Sequence, residues 1–294
     1  MNITGCKVCG SNRIVDIFTS VNAHGRHLIS EKDRFVVSRC KSCGVVFLKD
    51  VKVNGSYYKK YYELGYYDQA SVKKGSLLDK FLDYISKFSI QRKEKLIRDY
   101  TIVKKKRISI LDVGCGSGNF LFNLDESRFD RFGTEINQEG FEISQKRGLH
   151  VFFGDLDKIN FGKKKFDVAS LWQVLEHVKE PKKLMGNINR ILLPGGIVIF
   201  QVPNTDGLGF KIGKKDWFHL DSPRHLILYN PQSVSALCAT TGFKIVRIVN
   251  EFYDYPLDLF WSMRNSSLRF IIYPLYPIFK LFSQEHLTYI CKKV

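Results

Sequence analysis

The chain has 294 residues, with 46 Lys and Arg against 29 Asp and Glu, so its formal net charge is +17. Hydrophobic residues make up 44% and charged residues 26% of the chain, a globular composition that excludes wholesale disorder. No apolar h-region follows Met1, so a secretory signal is not expected. The longest apolar stretch, residues 270–282, contains two prolines and a lysine and is shorter than the roughly 20 residues that a bilayer requires.

The positive charge is unevenly distributed along the chain. Residues 51–107 carry a net +9, whereas residues 108–203 are neutral. A basic excess favours nucleic acid, an anionic membrane surface or an acidic substrate as partner. The neutral central block places that partner at the flanking segments.

Residues 1–50 contain two Cys-x2-Cys pairs, each followed by a glycine that permits a tight turn: Cys6/Cys9 and Cys40/Cys43. Without a secretory signal, this spacing indicates metal binding rather than disulfides. Short strands are predicted at residues 34–39 and 45–48. The segment is therefore predicted to be a zinc ribbon whose four cysteine ligands hold a structural Zn²⁺ with no open coordination position.

Residues 51–107 are predicted to form a separate segment. Six tyrosines lie between residues 54 and 68, and apolar residues at helical spacing between 77 and 100 predict one amphipathic helix. Lysines and arginines are interspersed on that helix. It is expected either to rest on anionic lipid or to expose its basic face to water.

From Ile108 onward, strands alternate with glycine turns and helices, which indicates a mostly parallel α/β sheet. The core is predicted over residues 108–249. A terminal strand in residues 250–294 completes it after an apolar insertion. The predicted strands are residues 108–113, 131–135, 149–153, 166–171, 196–202, 243–249 and 287–292.

The sequence Leu111-Asp112-Val113-Gly114-Cys115-Gly116-Ser117-Gly118 ends the first core strand and predicts a nucleotide-binding turn. A dinucleotide fingerprint would need glycine at position 119, where the chain has Asn119. The turn therefore favours a ligand without a pyrophosphate, and S-adenosylmethionine fits that description. Asp112 is expected to order the turn, and Gly114 and Gly116 to let the ligand approach the backbone.

Two further strand ends carry carboxylates. Glu135 ends the second core strand, where it is expected to accept hydrogen bonds from ribose hydroxyls. Asp155 follows the third strand, where it is expected to accept from an adenine amino group while Leu156 packs on the ring. Trp172 and Gln173, after the fourth strand, are expected to line the cofactor or acceptor pocket.

With these motifs, the run from Phe166 to Asn204 resembles class I S-adenosylmethionine-dependent methyltransferases. The whole chain resembles a bacterial group with an N-terminal four-cysteine zinc ribbon, found in polysaccharide and nucleotide-sugar pathways. The resemblance implies a Rossmann-like seven-stranded sheet whose seventh strand is antiparallel, between strands five and six. It also implies that the segments after strands four, five and six face the methyl donor.

The candidate catalytic bases are His225 and His177, because an acceptor hydroxyl must lose its proton and the pKa of histidine lies near neutrality. His219 is a third option. The expected reaction is O-methylation of a sugar in a nucleotide-sugar, a glycan or a lipid-linked glycan, with an acceptor that can bear phosphate. The protein is expected in the cytoplasm, with peripheral contact at the inner membrane face as a further hypothesis.

Three alternatives stay open. A sugar C-methyltransferase shares both modules but typically carries a further C-terminal domain. An RNA methyltransferase would use the positive charge and the tyrosine cluster. A non-catalytic adaptor would keep the fold without binding the cofactor.

Overall fold

The computed structural model describes residues 5–21, 33–54, 57, 61, 77–101, 107–250 and 253–294, with the backbone alone for residues 77–83. Most of the tyrosine-dense segment therefore lies outside the described residues. The strands are β1 Ile14–Val21, β2 Arg34–Cys40, β3 Val46–Leu48, β4 Ile108–Val113, β5 Phe129–Glu135, β6 His150–Phe153, β7 Phe166–Trp172, β8 Leu192–Pro203, β9 Ile227–Leu228, β10 Phe243–Asn250 and β11 His286–Lys293.

The α-helices in the described residues are α1 Leu77–Tyr100, α2 Asn119–Phe122, α3 Gln138–Lys146, α4 Pro181–Ile191, α5 Leu208–Gly213, α6 Pro231–Thr240, α7 Asp258–Ser262, α8 Arg269–Ile272 and α9 Tyr276–Phe282. Single 3-10 turns form at Leu175–His177, Lys214–Asp216 and Phe218–Leu220. The predicted helix over residues 77–100 is confirmed as α1. None of the helices in the described part of the chain has the length and apolarity to cross a bilayer.

A seven-stranded sheet forms the centre of the fold, in the order β10-β11-β8-β7-β4-β5-β6. Strand β11 runs antiparallel to both of its neighbours, β8 and β10, while the pairs among β8, β7, β4, β5 and β6 are parallel. This is the arrangement of the class I methyltransferase fold, so the predicted fold class is confirmed. The carboxyl ends of the parallel strands lie at one edge, where such sheets bind ligands.

The N-terminal region forms a second sheet of four strands, in the order β1-β2-β3-β9. Its last strand comes from the core segment, because Val46 and Phe47 of β3 pair with β9. The sequence predicted strands on both sides of Cys40 but did not predict β1 or the participation of β9. A two-residue strand gives too short a pattern to recognise in the sequence.

The two sheets share one hydrophobic core. Cys6, Val8 and Phe47 of the N-terminal region are buried with residues of β4 and β7 such as Leu111 and Leu171. The opposite face of the central sheet is covered by α1 through Ile90 and Ile97. Burial of such side chains contributes roughly 1.5–3 kcal/mol each. The four-cysteine region is thus part of the body of the protein, although the proposed division of the chain at residue 50 stays a prediction.

Candidate functional site

A cavity of about 960 Å³ opens at the carboxyl edge of the central sheet. Residues that follow β4, β5, β6 and β7 line it. Every residue that the sequence predicted to hold the cofactor lies on its wall: Asp112, Gly114, Gly116, Glu135, Asp155, Leu156, Trp172 and Gln173. The volume lies in the range that protein pockets for small molecules commonly occupy, roughly 300–1,000 Å³.

The glycine turn after β4 forms the floor of this cavity. Gly114 and Gly116 have φ angles of +70° and +56°, a left-handed backbone that side-chain-bearing residues seldom adopt. Gly114 N donates a hydrogen bond to Thr134 O at 2.8 Å, which fixes the turn against β5. A cofactor can therefore approach the backbone of the turn closely.

Glu135 is buried at the end of β5 and already accepts three backbone hydrogen bonds. Gly116 N donates to Oε2 at 2.6 Å, and Ile136 N and Asn137 N donate to Oε1 at 2.8 and 2.7 Å. A carboxylate offers about four lone-pair positions, so one is left in this arrangement. Binding of both ribose hydroxyls would thus require one backbone donor, such as Gly116 N, to give way.

Asp112 is buried beneath the turn, where its Oδ1 accepts a hydrogen bond from Ser170 Oγ at 2.7 Å. Burial raises the pKa of this carboxyl to about 7, against the opposing effect of the serine hydrogen bond. Asp112 can therefore change its charge near neutral pH. A cationic ligand in the cavity would favour the ionised carboxylate.

Asp155 and Leu156 form the wall beyond β6. The Asp155 side chain is 58% exposed and its Oδ2 lies 3.5 Å from Lys158 Nζ, whereas Leu156 is buried. An exposed carboxylate beside an apolar side chain can accept a hydrogen bond from an amino group of a ring that packs on the leucine. The assignment of both residues to adenine stays a prediction.

Trp172 and Gln173 close the opposite wall, at the end of β7. Trp172 Nε1 is buried and has no acceptor among the described residues. Lys93 Nζ of α1 lies 4.7 Å from the centre of the Trp172 ring and 3.3 Å from Asp254 Oδ2. The sequence missed Lys93 and Asp254 as neighbours of the cavity, because the contact joins segments 161 positions apart.

A second group of residues, called the acceptor corner here, consists of residues 175–177 and 221–226. His177 lies in the 3-10 turn Leu175–His177 before α4. It lines the cavity. His225 packs edge to face on it, with ring centroids 4.6 Å apart, but is not among the lining residues.

Burial shapes the charge of both histidines. Burial lowers the pKa of His177. Burial, together with the neighbouring His177, lowers the pKa of His225 to about 3. His225 is therefore neutral at physiological pH and a weak proton acceptor. The geometry favours His177 over His225 as the residue that contacts an acceptor, and both catalytic assignments stay predictions.

His219, the third candidate base, is buried in another cluster. Its Nε2 lies 3.1 Å from Asp258 Oδ2, and its ring lies 4.1 Å from the ring of His286. It is not among the residues that line the cavity. These contacts indicate a packing role at the base of the α7 segment.

The four cysteines of the N-terminal region lie together, with all sulfurs within 4.8 Å of one another: Cys6, Cys9, Cys40 and Cys43. Cys6 Sγ lies 3.7 Å from Cys43 Sγ, and Cys9 Sγ lies 3.6 Å from Cys40 Sγ. A tetrahedral zinc site with bonds of about 2.3 Å separates its sulfurs by roughly 3.8 Å. The residues present therefore fit a four-thiolate zinc ion.

The N-terminal sheet and Tyr57 contact the acceptor corner directly. Leu48 N donates to Leu226 O at 3.0 Å, Ser20 Oγ donates to Ser222 Oγ at 2.6 Å, and Tyr57 Oη donates to Pro223 O at 3.0 Å. Strand β9, two residues after His225, pairs with β3. The N-terminal sheet thus fixes the loop that carries His225.

Comparison with known proteins shows the family. The sequence profile of a methyltransferase-domain family matches residues 81–248, more than half of the chain. The chain therefore belongs to this family of methyltransferase domains. Among solved structures, the magnesium protoporphyrin IX methyltransferase of Synechocystis PCC 6803, which has bound SAH, superposes with a TM-score of 0.56 at 13% identity over 82% of this chain and 100% of that one.

Relatives with named activities differ in substrate. The mRNA cap guanine-N(7) methyltransferase of Schizosaccharomyces pombe is 28% identical over 48% of this chain and 44% of its own length. The demethylmenaquinone methyltransferase of Leptospira interrogans is 31% identical over 41% of this chain and 53% of its own. The ubiquinone biosynthesis O-methyltransferase of Proteus mirabilis is 25% identical over 38% of this chain and 45% of its own length. The chain spans about half the length of these curated relatives.

Proposed function

We propose that this protein is an S-adenosylmethionine-dependent methyltransferase that methylates a hydroxyl oxygen of a sugar, carried by a nucleotide, a glycan or a lipid-linked glycan. The observation that carries the proposal is the cavity at the carboxyl edge of the sheet. All eight predicted cofactor residues line this cavity, and His177 lines it with them. Membership of the methyltransferase-domain family supports the same reaction class.

S-adenosylmethionine would supply an electrophilic methyl group. The sulfonium sulfur that carries this group is a good leaving group because it departs as a neutral thioether. The residues of this chain then have two tasks, which are to align the acceptor and to help its hydroxyl lose a proton. Glu135 and the glycine turn would hold the nucleoside, and the buried Asp112 would favour a cationic ligand. His177 would contact the acceptor hydroxyl, and His225 would support it from behind through the contact between the two rings.

We further propose that Cys6, Cys9, Cys40 and Cys43 hold a structural Zn²⁺. Four cysteine ligands leave no open coordination position, so this metal would not take part in the reaction. Its support is the sulfur spacing and the burial of three of the four cysteines. In this proposal the zinc stabilises the sheet that fixes the acceptor corner.

The surface after β10 favours a lipid-linked acceptor and a peripheral contact with a membrane. Residues 257–282 expose many large apolar side chains, among which Phe270 and Phe282 are 71% and 73% exposed. The same segment carries Arg264 and Arg269, which suit an anionic surface. These features support the peripheral membrane contact, and we propose cytoplasmic polysaccharide biosynthesis at the inner membrane face as the setting.

The proposal is tested by deleting the gene and comparing surface glycans and RNA nucleosides by mass spectrometry. Loss of one methyl group from a glycan, restored by the wild-type gene but not by a Gly116→Arg variant, is the expected result. Methylation sited on carbon rather than oxygen would point to the sugar C-methyltransferase alternative. Loss of a methyl group from an RNA nucleoside, with unchanged glycans, would contradict the proposal. It would favour the RNA methyltransferase alternative, which the positive net charge also suits.

A further inference from the structure

Beside the cavity, three side chains form a compact group that cofactor binding does not use. Glu176, His177 and His225 each offer one ligand atom, and these atoms lie within 4.8 Å of one another. Glu176 and His225 are buried, and His177 lines the cavity. We call these three residues the Glu-His-His cluster.

The Glu176 carboxylate has no visible compensation for its burial. The residue is 0% exposed, and neither of its oxygens has a hydrogen-bond partner among the described residues. Burial of a carboxylate without a partner is costly, and such a group in a native protein commonly marks an ion or water that binds there. A cation between Glu176 and the two imidazoles would supply that compensation.

The two histidines are oriented as metal ligands are. His177 Nδ1 lies 2.9 Å from Arg224 O, and His225 Nδ1 lies 2.7 Å from His219 O. A carbonyl can only accept, so each Nδ1 carries the proton and each Nε2 carries the lone pair. Metal-binding histidines use this same backbone contact to fix their tautomer and ring orientation.

We propose that Glu176, His177 and His225 bind a divalent first-row transition-metal cation through one carboxylate oxygen and two Nε2 atoms. Two imidazoles and one carboxylate suit ions such as Zn²⁺, Co²⁺ and Mn²⁺ and leave at least one coordination position open. The open position would face the cavity, because His177 lines it. This site is distinct from the four-cysteine site and differs from it in ligand chemistry.

A second group of two histidines and one carboxylate differs from the Glu-His-His cluster in its charge balance. His219, Asp258 and His286 also lie within 4.8 Å of one another. In that group, however, Lys280 Nζ already lies 2.6 Å from Asp258 Oδ1, so an ammonium balances the carboxylate. In the Glu-His-His cluster, no lysine or arginine of the described residues forms an ion pair with Glu176.

The role of the cation rests on the proposed methyl transfer. An acceptor hydroxyl at the open position would have a lower pKa and would release its proton to water. Its oxygen would then form a bond to the methyl carbon while the carbon–sulfur bond breaks. The electron pair of that bond goes to sulfur, which leaves S-adenosylhomocysteine and the methyl ether. His177 and His225 would thus be ligands rather than proton acceptors.

The test is a Co²⁺ titration of the full-length protein that already holds one Zn²⁺ at its cysteines. We expect one additional Co²⁺ per chain, with weak visible bands and no thiolate-to-cobalt charge transfer. Glu176→Gln should weaken this binding by about tenfold or more, in keeping with loss of a charged ligand. The matched control Glu126→Gln, which removes an exposed carboxylate paired with Arg131, should leave it unchanged.

A second pair of variants keeps the proposal testable if Glu176→Gln folds poorly. His225→Gln should also lose the Co²⁺ site, whereas His150→Gln, at an exposed position on β6, should keep it. Wild-type protein that binds no second ion, or a Glu176→Gln variant that binds Co²⁺ as wild type does, would overturn the proposal. S-adenosylmethionine calorimetry on the same samples tests the proposed function separately, because the cofactor residues are not part of the cluster.

Discussion

The eight predicted cofactor residues that line the cavity, called the cofactor wall, and the acceptor corner are assembled over very different distances along the chain. On the cofactor wall, the hydrogen bond between Gly116 N and Glu135 Oε2 joins residues 19 positions apart. At the acceptor corner, the hydrogen bonds from Ser20 to Ser222 and from Tyr57 to Pro223 join residues 202 and 166 positions apart. The contact between Gly116 and Glu135 thus lies within the core, whereas the acceptor corner depends on hydrogen bonds from the N-terminal sheet and from Tyr57.

This difference predicts that the two regions can be perturbed separately. Changes in the glycine turn should remove cofactor binding and leave the N-terminal sheet intact. Changes in the cysteine site should disturb the acceptor corner and leave the cofactor wall largely intact. Four predictions follow from that separation, taken from the largest expected effect to the smallest.

Gly116→Arg should abolish binding of S-adenosylmethionine, with a loss of about 100-fold or more in affinity measured by calorimetry. The arginine would project from the floor of the cavity and also force a side chain into a backbone with φ of +56°. The control is Gly148→Arg, which has φ of +75° but no atom within 4 Å of its added Cβ and lies outside the cavity. Equal affinity of Gly116→Arg and wild type would remove the turn from the cofactor site.

Removal of zinc from the cysteine site should separate the two regions most clearly. In Cys40→Ser we expect loss of one metal equivalent and a fall in methyl transfer of about tenfold or more, because zinc binding contributes directly to folding. Affinity for S-adenosylmethionine should change by less than about threefold, since the core builds that wall. Chelation of the wild type followed by Zn²⁺ addition should reproduce and reverse the effect. A parallel loss of cofactor affinity would contradict the separation.

Cofactor affinity should rise with pH as Asp112 ionises. Its pKa is raised by burial to about 7, and a cationic ligand lowers it by favouring the carboxylate, so binding releases a proton. The gain between pH 6 and 8 should be about tenfold for a pKa near 7. Asp112→Asn should bind more weakly and lack this part of the pH dependence. Parallel pH profiles for the two proteins would show that Asp112 does not titrate with binding.

Lys93→Met tests the contact of α1 with Trp172 and Asp254. It would leave Asp254 without its ammonium partner, with Gln201 Nε2 still donating to Asp254 Oδ2 at 2.8 Å. We expect a fall of about 1 kcal/mol in the free energy of unfolding, measured by urea denaturation. Lys95→Met removes an exposed lysine that is paired with Asp99 on the same helix. This control should change the free energy of unfolding by less than about 0.5 kcal/mol. Equal stabilities of Lys93→Met and Lys95→Met would show that the Lys93 contact contributes no more to the free energy of unfolding than a surface ion pair does.

The cofactor wall could be predicted from the sequence because its signals are local. The predicted carboxylates and glycines lie at the ends of predicted strands or directly after them, and parallel strands bring such ends to one edge. The boundaries of β4, β7 and β10 agree with the predicted strands to within one residue. Predicted strand five begins four residues late, because the sequence Leu193-Pro194-Gly195-Gly196 is typical of a turn although it lies within β8.

The sequence by itself determined the class of fold, and it predicted which residues line the cavity and which four cysteines lie together, because each depends on spacing within short segments. Only the tertiary structure decided which histidine lines the cavity, that Lys93 of the basic helix points inward to Trp172 and Asp254, and that β9 joins the N-terminal sheet. It also brought Glu176 together with His225, 49 positions away, without a compensating partner for the buried carboxylate. Such contacts depend on how distant segments pack and on which charges lose water, and neither leaves a periodic pattern in the chain.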